Sequence, residues 1–554
     1  MRCQFSGGLK NCKGYLMLTA AMIIVVFSLL SLLLVHMSVG TNVSQDHLQA
    51  ANKALSAAES GLQDGQTQML MVQTKPLCAS LNVSYTGSAS GDRYQVTGLS
   101  NPSTPTFSTL QSDINTSVTS LTLANSANFA PAGRIIIDRE FIDYSRNDTA
   151  SNTLYGLIRG ADSTYGQAHS SGAIVSQYQC MLNAAGNSSE AAVQLRQGAQ
   201  MPIAWIVGDA KSDTELSVYR WNQPQNSLYD GSGGSTTSAY DINAVSLLGY
   251  GAGWAVGEGG RVYRYGAGSG GGLWGDGSQV VGAYDGNLRG VWTVSSTEAW
   301  AVGNRVTNSR YGILHYNGSS WCRIGDSGCT YGIVISEDAQ NLYDIQMVQN
   351  GSLGVAVGGS DNVAVALLYF GSSVGWIVIS PDPSLLIGRL WGVAVMQGGE
   401  AWAVGRSAFV TNGRIIRLNL SSSTDWSISL SIGTSNTVLR SISMLDLNED
   451  GFADYGWAVG ENRTAYWYNG TSWASGSSML SGCTTSGSDN FSSVVLWGKG
   501  NGILTTSNGK ICFWDPGEQR WILRYTISGS PVINDVDIVA PITQPQSGWV
   551  LQAQ

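Results

Sequence analysis

The chain has 554 residues, a length that suits two or three domains rather than one. Only 12% of its residues are charged, while 69 Gly, 18 Trp and 23 Tyr indicate many short strands joined by tight turns and exclude a mainly helical protein. The formal net charge is −9 and no basic cluster is present, which excludes a nucleic-acid partner because a duplex-binding surface needs clustered Lys and Arg.

The first predicted element is an apolar run from Leu16 to Val39, and no charged residue lies between Lys13 and Asp46. At 1.5 Å per residue, such a run can cross the hydrocarbon core of a bilayer as a helix. A cleaved secretory signal would have a shorter apolar core and a small-x-small cleavage site, which this run lacks. Because basic residues precede the run, we expect a cytoplasmic N-terminus and an extracytoplasmic remainder.

Apolar residues continue at roughly helical spacing beyond this run, at Val43, Leu48, Ala51, Leu55, Ala58 and Leu62. We therefore expect one helix over residues 15–70, half apolar and half amphipathic. Residues 54–62 read ALSAAESGL, and Gly14 and Tyr15 follow a short basic leader. Together these features resemble the PilX/MshP-like minor pilins of type IV pili over about the first hundred residues.

The resemblance implies that a prepilin peptidase removes residues 1–14 by cutting between Gly14 and Tyr15. It also implies residence in the inner membrane before assembly with other pilin or minor pilin subunits. Major pilins carry Glu at the fifth mature residue, where this chain has Thr19, so the charge partner for packing beneath another subunit is missing. The expected location is therefore the cell surface, at the pilus tip. A single-pass anchor is the alternative.

Strand character at residues 71–102 and 177–198 predicts a small β head, as the minor-pilin resemblance implies, and an inserted β module occupies 103–176. The module contains the hairpin sequence GRIIIDREFIDYS and resembles a small module of phage tail and other surface proteins. We interpret it as a spacer or an adhesion accessory. His169 lies in one of its turns, where we expect a structural role rather than a ligand role.

Cysteine usage indicates an oxidising compartment. Cys3 and Cys12 lie in the predicted leader, and the other six form plausible pairs: Cys78 with Cys180, Cys322 with Cys329, and Cys483 with Cys512. None of them has the pair-of-pairs spacing that zinc needs. An even number beyond a membrane segment favours disulfides, with buried free thiols as the alternative.

A repeated string, G/A-W-x-V-G, dominates the rest of the chain. Its Trp-equivalent positions are 205, 254, 300, 355, 402, 457, 503 and 549, at intervals of 46 to 55 residues. One four-stranded blade per interval predicts a β-propeller over 199–554, of about seven blades, with six or eight also possible. Residues 533–539 would supply the missing inner strand of the first blade, and the repeated Trp would pack between blades. The string resembles the BNR/photosystem-assembly-factor propellers.

The sharpest local motif is a run of oxygen-bearing side chains before one repeat: Asp446, Asn448, Asp450 and Asp454, with Gly451 after the third and the Phe452 carbonyl available. This spacing is typical of a loop that wraps Ca²⁺. A polar β-turn is the alternative, although three neighbouring carboxylates need a cation to offset their repulsion. The motif-bearing propellers of pilus-tip adhesins, which the chain resembles, strengthen the calcium prediction.

Catalytic motifs are absent from the sequence: it has no G-x-S-x-G, no H-E-x-x-H and no P-loop. Five arginines of the propeller look like scattered, solvated charges: Arg289, Arg310, Arg389, Arg406 and Arg440. We therefore expect no enzyme but a mainly β, pilin-like surface protein whose propeller binds a surface glycan or protein ligand. A membrane-anchored glycan hydrolase and an assembly scaffold are the alternatives. Carboxylates and arginines converging at the central channel would favour the hydrolase.

Overall fold

The computed structural model describes residues 48–552 with internal gaps, of which the longest are 66–80, 231–239, 275–283, 330–338 and 540–549. The predicted leader, its processing residues Gly14 and Tyr15, and the apolar run from Leu16 to Val39 lie outside the described residues. No helix among the described residues combines the length and the hydropathy needed to span a bilayer.

A helix over residues 48–62 packs on a five-stranded antiparallel sheet. The buried face of the helix is Ala50, Ala54, Ala58 and Leu62, whereas Leu48 is 64% exposed. The prediction that Leu48 lies on the buried face of the helix is therefore wrong. Small residues form that face and let the helix lie close to the sheet: a Cβ on Gly186 would stand 2.0 Å from the Ala54 carbonyl oxygen. In spatial order the strands of this head sheet are Asn82–Thr86, Arg93–Gly98, Gln179–Asn187, Ala192–Gln200 and Val550–Gln552.

The inserted segment between these strands forms two small sheets around a core of Ile, Leu, Phe and Tyr side chains. The larger sheet has the strand order Thr106–Thr109, Ile174–Gln177, Gly133–Ile137, Glu140–Tyr144 and Ile158–Ala161. The smaller sheet has the order Ser120–Thr122, Thr153–Tyr155 and Arg146–Asp148. We call this segment, residues 106–177, the module.

Seven four-stranded antiparallel sheets follow, and we call them blades 1 to 7. Blade 1 is Ile533–Val539, Ile203–Ser212, Glu215–Asn222 and Ser227–Asp230; blade 2 is Ile242–Gly249, Ala252–Gly257, Val262–Gly266 and Leu273–Trp274; blade 3 is Leu288–Ser295, Glu298–Thr307, Arg310–Tyr316 and Trp321–Arg323. Blade 4 is Leu342–Met347, Gly354–Gly359, Ala364–Tyr369 and Trp376–Ile379; blade 5 is Ile387–Val395, Glu400–Ser407, Gly413–Asn419 and Trp426–Ser431. Blade 6 is Leu439–Leu445, Tyr455–Gly460, Ala465–Tyr468 and Trp473–Ser475; blade 7 is Phe491–Gly498, Asn501–Thr506, Lys510–Asp515 and Arg520–Thr526. Short helical turns lie at Glu258–Gly260, Gly371–Val374, Pro383–Leu385 and Ser477–Leu480.

The first strand of each blade contacts the first strands of both neighbouring blades, so the seven first strands form a closed ring around a central channel. This arrangement is a seven-bladed β-propeller. Ile533–Val539 pairs with Ile203–Ser212 and completes blade 1, which confirms the predicted closure by the C-terminal strand. Of the eighth repeat, around position 549, the described residues Val550–Gln552 pair with the head sheet, since the ring is already closed.

The repeated Trp packs between blades, as predicted. Trp254 of blade 2 contacts Tyr316 and Trp321 of blade 3, with ring centroids 4.8 and 5.0 Å away. The same three-ring stack joins four other neighbouring pairs: Trp205 with Tyr265 and Trp274, Trp300 with Tyr369 and Trp376, Trp402 with Tyr468 and Trp473, and Trp457 with Trp514 and Trp521. Buried aromatic pairs of this kind stabilise the contact between neighbouring blades.

Two of the three predicted disulfides lie in the described part of the propeller, and both are confirmed. Cys322 pairs with Cys329, and Cys483 pairs with Cys512. Cys78 lies outside the described residues, so its pairing with Cys180 stays a prediction.

Candidate functional site

The first strand of each blade, which we call its inner strand, carries a β-bulge near its start. One residue there has no paired residue in the second strand of the blade. The bulge follows from the repeat itself. In six blades the Gly that ends the repeated string pairs with the residue before the bulge, and in blade 7 Thr506 takes that place. At Gly257 a Cβ would lie 2.0 Å from the carbonyl oxygen of Asp241. The bulged residues are Asn243, Arg289, Tyr343, Trp391, Arg440, Ser492 and Asn534.

All seven bulged residues are half-buried and line one cavity of about 370 Å³ at one mouth of the channel. We call it the arginine mouth. A feature of local backbone geometry, repeated in every blade, thus places seven chemically different side chains around one space. Bulges commonly re-aim side chains next to functional sites, so this cavity is the candidate site.

Arginines and aromatic rings alternate along one side of the arginine mouth. The Arg289 guanidinium lies 5.2 Å from the Tyr343 ring centroid, and Arg389 lies 5.2 Å from the same ring. Arg389 is also 5.4 Å from the Trp391 ring, and Arg440 is 4.4 Å from it. These are cation–π distances, so each ring helps to hold two guanidinium groups beside each other.

Among the residues that line the cavity, two arginines face one carboxylate. Arg389 and Arg406 share Asp361, at 3.0 and 3.3 Å. Arg440 pairs with Glu461, and Arg289 donates to the Asn304 side chain at 3.2 Å. The charged side chains that line the cavity itself are Arg289, Arg440 and Glu461, and a further carboxylate, Asp209, accepts a hydrogen bond from the cavity residue Asn534 at 2.9 Å. A concave, positive and partly desolvated site attracts anions.

Deeper in the channel, side chains of one inner strand satisfy the backbone of the next. Asp344 accepts a hydrogen bond from the Val393 N–H at 2.9 Å, and Asp535 accepts one from the Val245 N–H at 3.0 Å. Ser441 accepts from the Val494 N–H in the same way. These bonds are needed because neighbouring inner strands do not pair with each other, and buried N–H groups require acceptors.

The channel carboxyls titrate unusually. Asp344 and Asp535 are half-buried in the wall of the channel, and desolvation raises the pKa of each to about 7, against the hydrogen bonds that they accept. Burial also raises the pKa of Asp537, which the nearby Arg139 partly offsets. Near neutral pH, Asp344 and Asp535 are therefore only partly ionised and cancel little of the positive charge at the arginine mouth.

The module closes the opposite end of the channel. Its hairpin turn, Asp138 and Arg139, adopts left-handed backbone angles, with φ of 46° and 69°. The Arg139 guanidinium donates to the Thr293 carbonyl and the Ser246 hydroxyl, each at 2.7 Å, and stacks 4.0 Å from the Trp292 ring centroid. We call this end the module mouth.

His169 holds that turn in place. Its two ring nitrogens lie 3.0 Å from an Asp138 oxygen and 2.7 Å from a Glu140 oxygen, and Glu140 also accepts from Arg159. Burial alone would lower the pKa of His169, but the hydrogen bonds to Asp138 and Glu140 raise it above its usual value. Both nitrogens are occupied by carboxylates, which agrees with the expected structural role.

The predicted calcium loop lies between the first two strands of blade 6. Asp446 accepts from the Gly451 N–H at 2.7 Å, Asp454 from the Leu447 N–H at 2.9 Å, and Asp450 from the Phe452 N–H at 2.9 Å. The Asn448 amide stands 3.1 Å from Asp450 and 3.3 Å from Asp454, so a donor group lies between two carboxylates. Such a loop fits a cation chemically.

Across the described residues, which omit Glu449, no three His, Cys, Asp or Glu side chains are grouped closely enough to hold a metal ion. The calcium site at Asp446, Asn448, Asp450, Phe452 and Asp454 therefore stays a prediction.

The expectation that the propeller arginines are scattered was wrong for Arg289 and Arg440. Arg289 and Arg440 line the arginine mouth. Arg389 stacks on its rings Tyr343 and Trp391, and Arg406 shares Asp361 with Arg389. Arg310 pairs elsewhere with Asp326. The signal was present in the repeats: Arg289 and Arg440 both directly follow the Leu that opens an inner strand, at equivalent places in blades 3 and 6. Comparing that one position across all seven repeats would have identified the site.

No protein-family model matches this chain, and no curated protein matches it. Among solved structures, YCF48 bound to a D1 peptide is 18% identical, and the match covers 51% of this chain and 80% of that chain with a TM-score of 0.36. A nidogen/laminin complex is 10% identical, covering 61% and 98% with a TM-score of 0.34. At these scores neither neighbour bears on what this chain binds. The resemblance of the N-terminal segment to minor pilins stays a prediction.

Proposed function

We propose that this protein is a surface-presented binding protein whose propeller takes an anionic ligand at the arginine mouth. The observation that carries the proposal is the alternation of Arg289, Tyr343, Trp391 and Arg440 around one cavity, with Arg389 stacked on both rings. Guanidinium groups recognise carboxylate, sulfate or phosphate oxygens through paired N–H donors, and the rings supply flat apolar faces.

The N-terminal segment supplies the presentation. On its sequence, residues 15–70 are a pilin-like helix that inserts in the inner membrane, is processed at Gly14 and Tyr15, and then joins other minor pilins at the tip of a type IV pilus. Ca²⁺ held by Asp446, Asn448, Asp450, Asp454 and the Phe452 carbonyl would stiffen blade 6 of the presented propeller. The role is adhesion to a surface glycan or protein, or priming of pilus assembly.

Binding of an anion can be measured by calorimetry with the full-length protein in detergent. We expect Trp391→Ala and Arg440→Ala each to weaken binding at least about tenfold, since buried or stacked charge-assisted contacts contribute about 1.5–3 kcal/mol. Arg520→Ala removes the same charge from the outer strand of blade 7, where Arg520 pairs with Glu518, and should leave affinity unchanged. Equal losses in Arg520→Ala and Arg440→Ala would contradict a site at the arginine mouth.

A glycan hydrolase is the second candidate, and one observation favours it. Arginines lie at the mouth and carboxyls lie in the same channel, and Asp344 and Asp535 have pKa values of about 7, as a general acid requires. Both carboxyls, however, already accept backbone N–H groups that hold the blades together. Release of reducing sugar from an acidic glycan that Asp344→Asn abolishes, with its fold intact, would establish the hydrolase.

A further inference from the structure

The arginine mouth has a second side, opposite in chemistry to the arginines. There the cavity is lined by neutral amides and hydroxyls: Asn243, Asn490, Ser492, Ser507 and Asn534. Two of these amides are anchored. Asn243 donates its Nδ2 to the Leu288 carbonyl at 2.7 Å. Asn534 donates its Nδ2 to the Ile242 carbonyl and to the Asp209 carboxylate, each at 2.9 Å.

Anchoring the amide nitrogen fixes the direction of the amide oxygen. Within the described residues, the Oδ1 atoms of Asn243 and Asn534 accept no hydrogen bond from the protein, and both side chains line the cavity. They are therefore prepositioned acceptors, which a ligand with hydrogen-bond donors can use in place of water. An inorganic anion or a bare carboxylate has none to offer them.

We infer that the arginine mouth binds an acidic sugar residue, with its carboxylate on Arg289 and Arg440, its ring face on Trp391 and its hydroxyls on the Oδ1 atoms of Asn243 and Asn534. This inference rests on the proposed function and narrows it to one ligand class. A sugar acid carries an anion, an apolar C–H face and several O–H donors within one compact ring, which matches the three surfaces of the cavity.

The shape of the site favours a sugar over an acidic peptide. The cavity of about 370 Å³ is compact and lies over the channel. A peptide would gain most from apolar side-chain anchors, but the exposed Phe409 and Val410 in the neighbouring loop of blade 5 do not line the cavity. The ligand contacts available in the cavity are charged, aromatic and hydrogen-bonding, as a sugar acid requires.

Calorimetry with the full-length protein can distinguish binding of any anion from binding of an acidic sugar in particular, through the choice of probes. The probes are a uronic-acid-terminated disaccharide, a sialic-acid-terminated trisaccharide, the matched neutral disaccharide, an O-methylated uronate and penta-glutamate. We expect at least one acidic sugar to bind, and the neutral disaccharide and the O-methylated uronate to bind at least about tenfold more weakly, because each O–H that is lost leaves an amide oxygen without a donor.

Protein variants complete the test without touching the anchored amides. Trp391→Ala should weaken the acidic sugar at least about tenfold, while Arg520→Ala should not. If the O-methylated uronate or penta-glutamate binds as tightly as the free acidic sugar, the sugar inference is overturned and only the anion site remains. If none of the anions binds, the proposed function fails together with the inference.

Discussion

Trp391 illustrates how one position acquires its role from the repeat. It occupies the bulge of the blade 5 inner strand, the place held by Tyr343 in blade 4 and Arg440 in blade 6. Because the bulge fixes where the side chain goes, the residue there can change without disturbing the blade. The arginine mouth therefore carries its chemistry on positions that the fold leaves variable.

At the residue scale, the channel carboxyls predict an unusual dependence of stability on pH. The pKa of Asp344 and of Asp535 rises from 3.8 to about 7 on folding, so the folded state holds more protons than the unfolded state between about pH 4 and pH 7. The stability that these groups contribute is fully present below the unfolded pKa and is lost as pH rises through the folded pKa. The raised pKa of His169 acts in the same direction.

We therefore expect a higher unfolding temperature at pH 5 than at pH 7.5, by at least about 3 °C, measured by differential scanning calorimetry. Asp344→Asn removes one titrating group and keeps an acceptor for the Val393 N–H, so it should reduce the difference between the two pH values. An unfolding temperature that is equal at the two pH values, or lower at pH 5, would show that these carboxyls ionise normally.

The loop at Asp446 to Asp454 gives a second prediction at this scale. If it binds Ca²⁺, adding millimolar calcium to the chelator-treated protein should raise the unfolding temperature, because a ligand that binds only the folded state stabilises it. Asp450→Asn should remove most of that increase. Asp326→Asn, in a pair outside the loop, serves as the control. A calcium response that survives in Asp450→Asn would place the cation elsewhere.

At the element scale, the Gly that ends the repeated string links the fold to the site. In blade 5, a Cβ on Gly405 would lie 2.1 Å from the Arg389 carbonyl oxygen and 2.9 Å from the Leu390 Cα. Those two residues directly precede Trp391. Any shift that makes room for the Cβ must therefore move part of the arginine mouth.

Gly405→Ala should consequently destabilise the protein by roughly 1–3 kcal/mol and also weaken anion binding, although Gly405 itself does not line the cavity. Chemical denaturation and calorimetry measure the two effects. Gly433→Ala in the same blade is the matched control, since a Cβ there meets nothing within 4 Å. If Gly405→Ala weakened neither stability nor binding, the close approach of Gly405 to the backbone before Trp391 would not be needed to position the cavity residues.

Elements also mark what the sequence could and could not predict. The repeat spacing was enough for seven blades and for closure by Ile533–Val539, since each repeat carries its own strand pattern. Contacts between distant elements could not be predicted in this way. Arg139 donates a hydrogen bond to Thr293, which is 154 residues away, and no local sequence pattern indicates that contact. The convergence of Arg289 and Arg440, by contrast, could have been predicted, because they occupy equivalent positions of two repeats.

At the scale of the whole molecule, the two mouths of the propeller channel differ. Its module mouth is occupied by the Asp138 and Arg139 turn, which His169 braces, while its arginine mouth holds the cavity. The module is thus part of the propeller's structure and more than a spacer. The head sheet receives strands from both ends of the chain, Asn82–Thr86 and Val550–Gln552, which ties the propeller back to the helix that precedes it.

The pilin-like presentation predicts a defined mature protein. Surface filaments sheared from cells should contain this chain with Tyr15 as its N-terminal residue, detected by mass spectrometry, and Gly14→Ala should abolish that processing. A chain that keeps residues 1–14 and remains in the inner membrane would instead support the anchor or scaffold alternatives.

The central claim is that ligand binds at the arginine mouth, and hydrogen–deuterium exchange with and without a bound acidic sugar tests it most directly. We predict slower exchange in the segments that begin the inner strands, around Arg289, Tyr343, Trp391 and Arg440, with unchanged exchange in the Asp138 and Arg139 turn. Protection confined to the module mouth or to the outer strands of the blades would contradict the account.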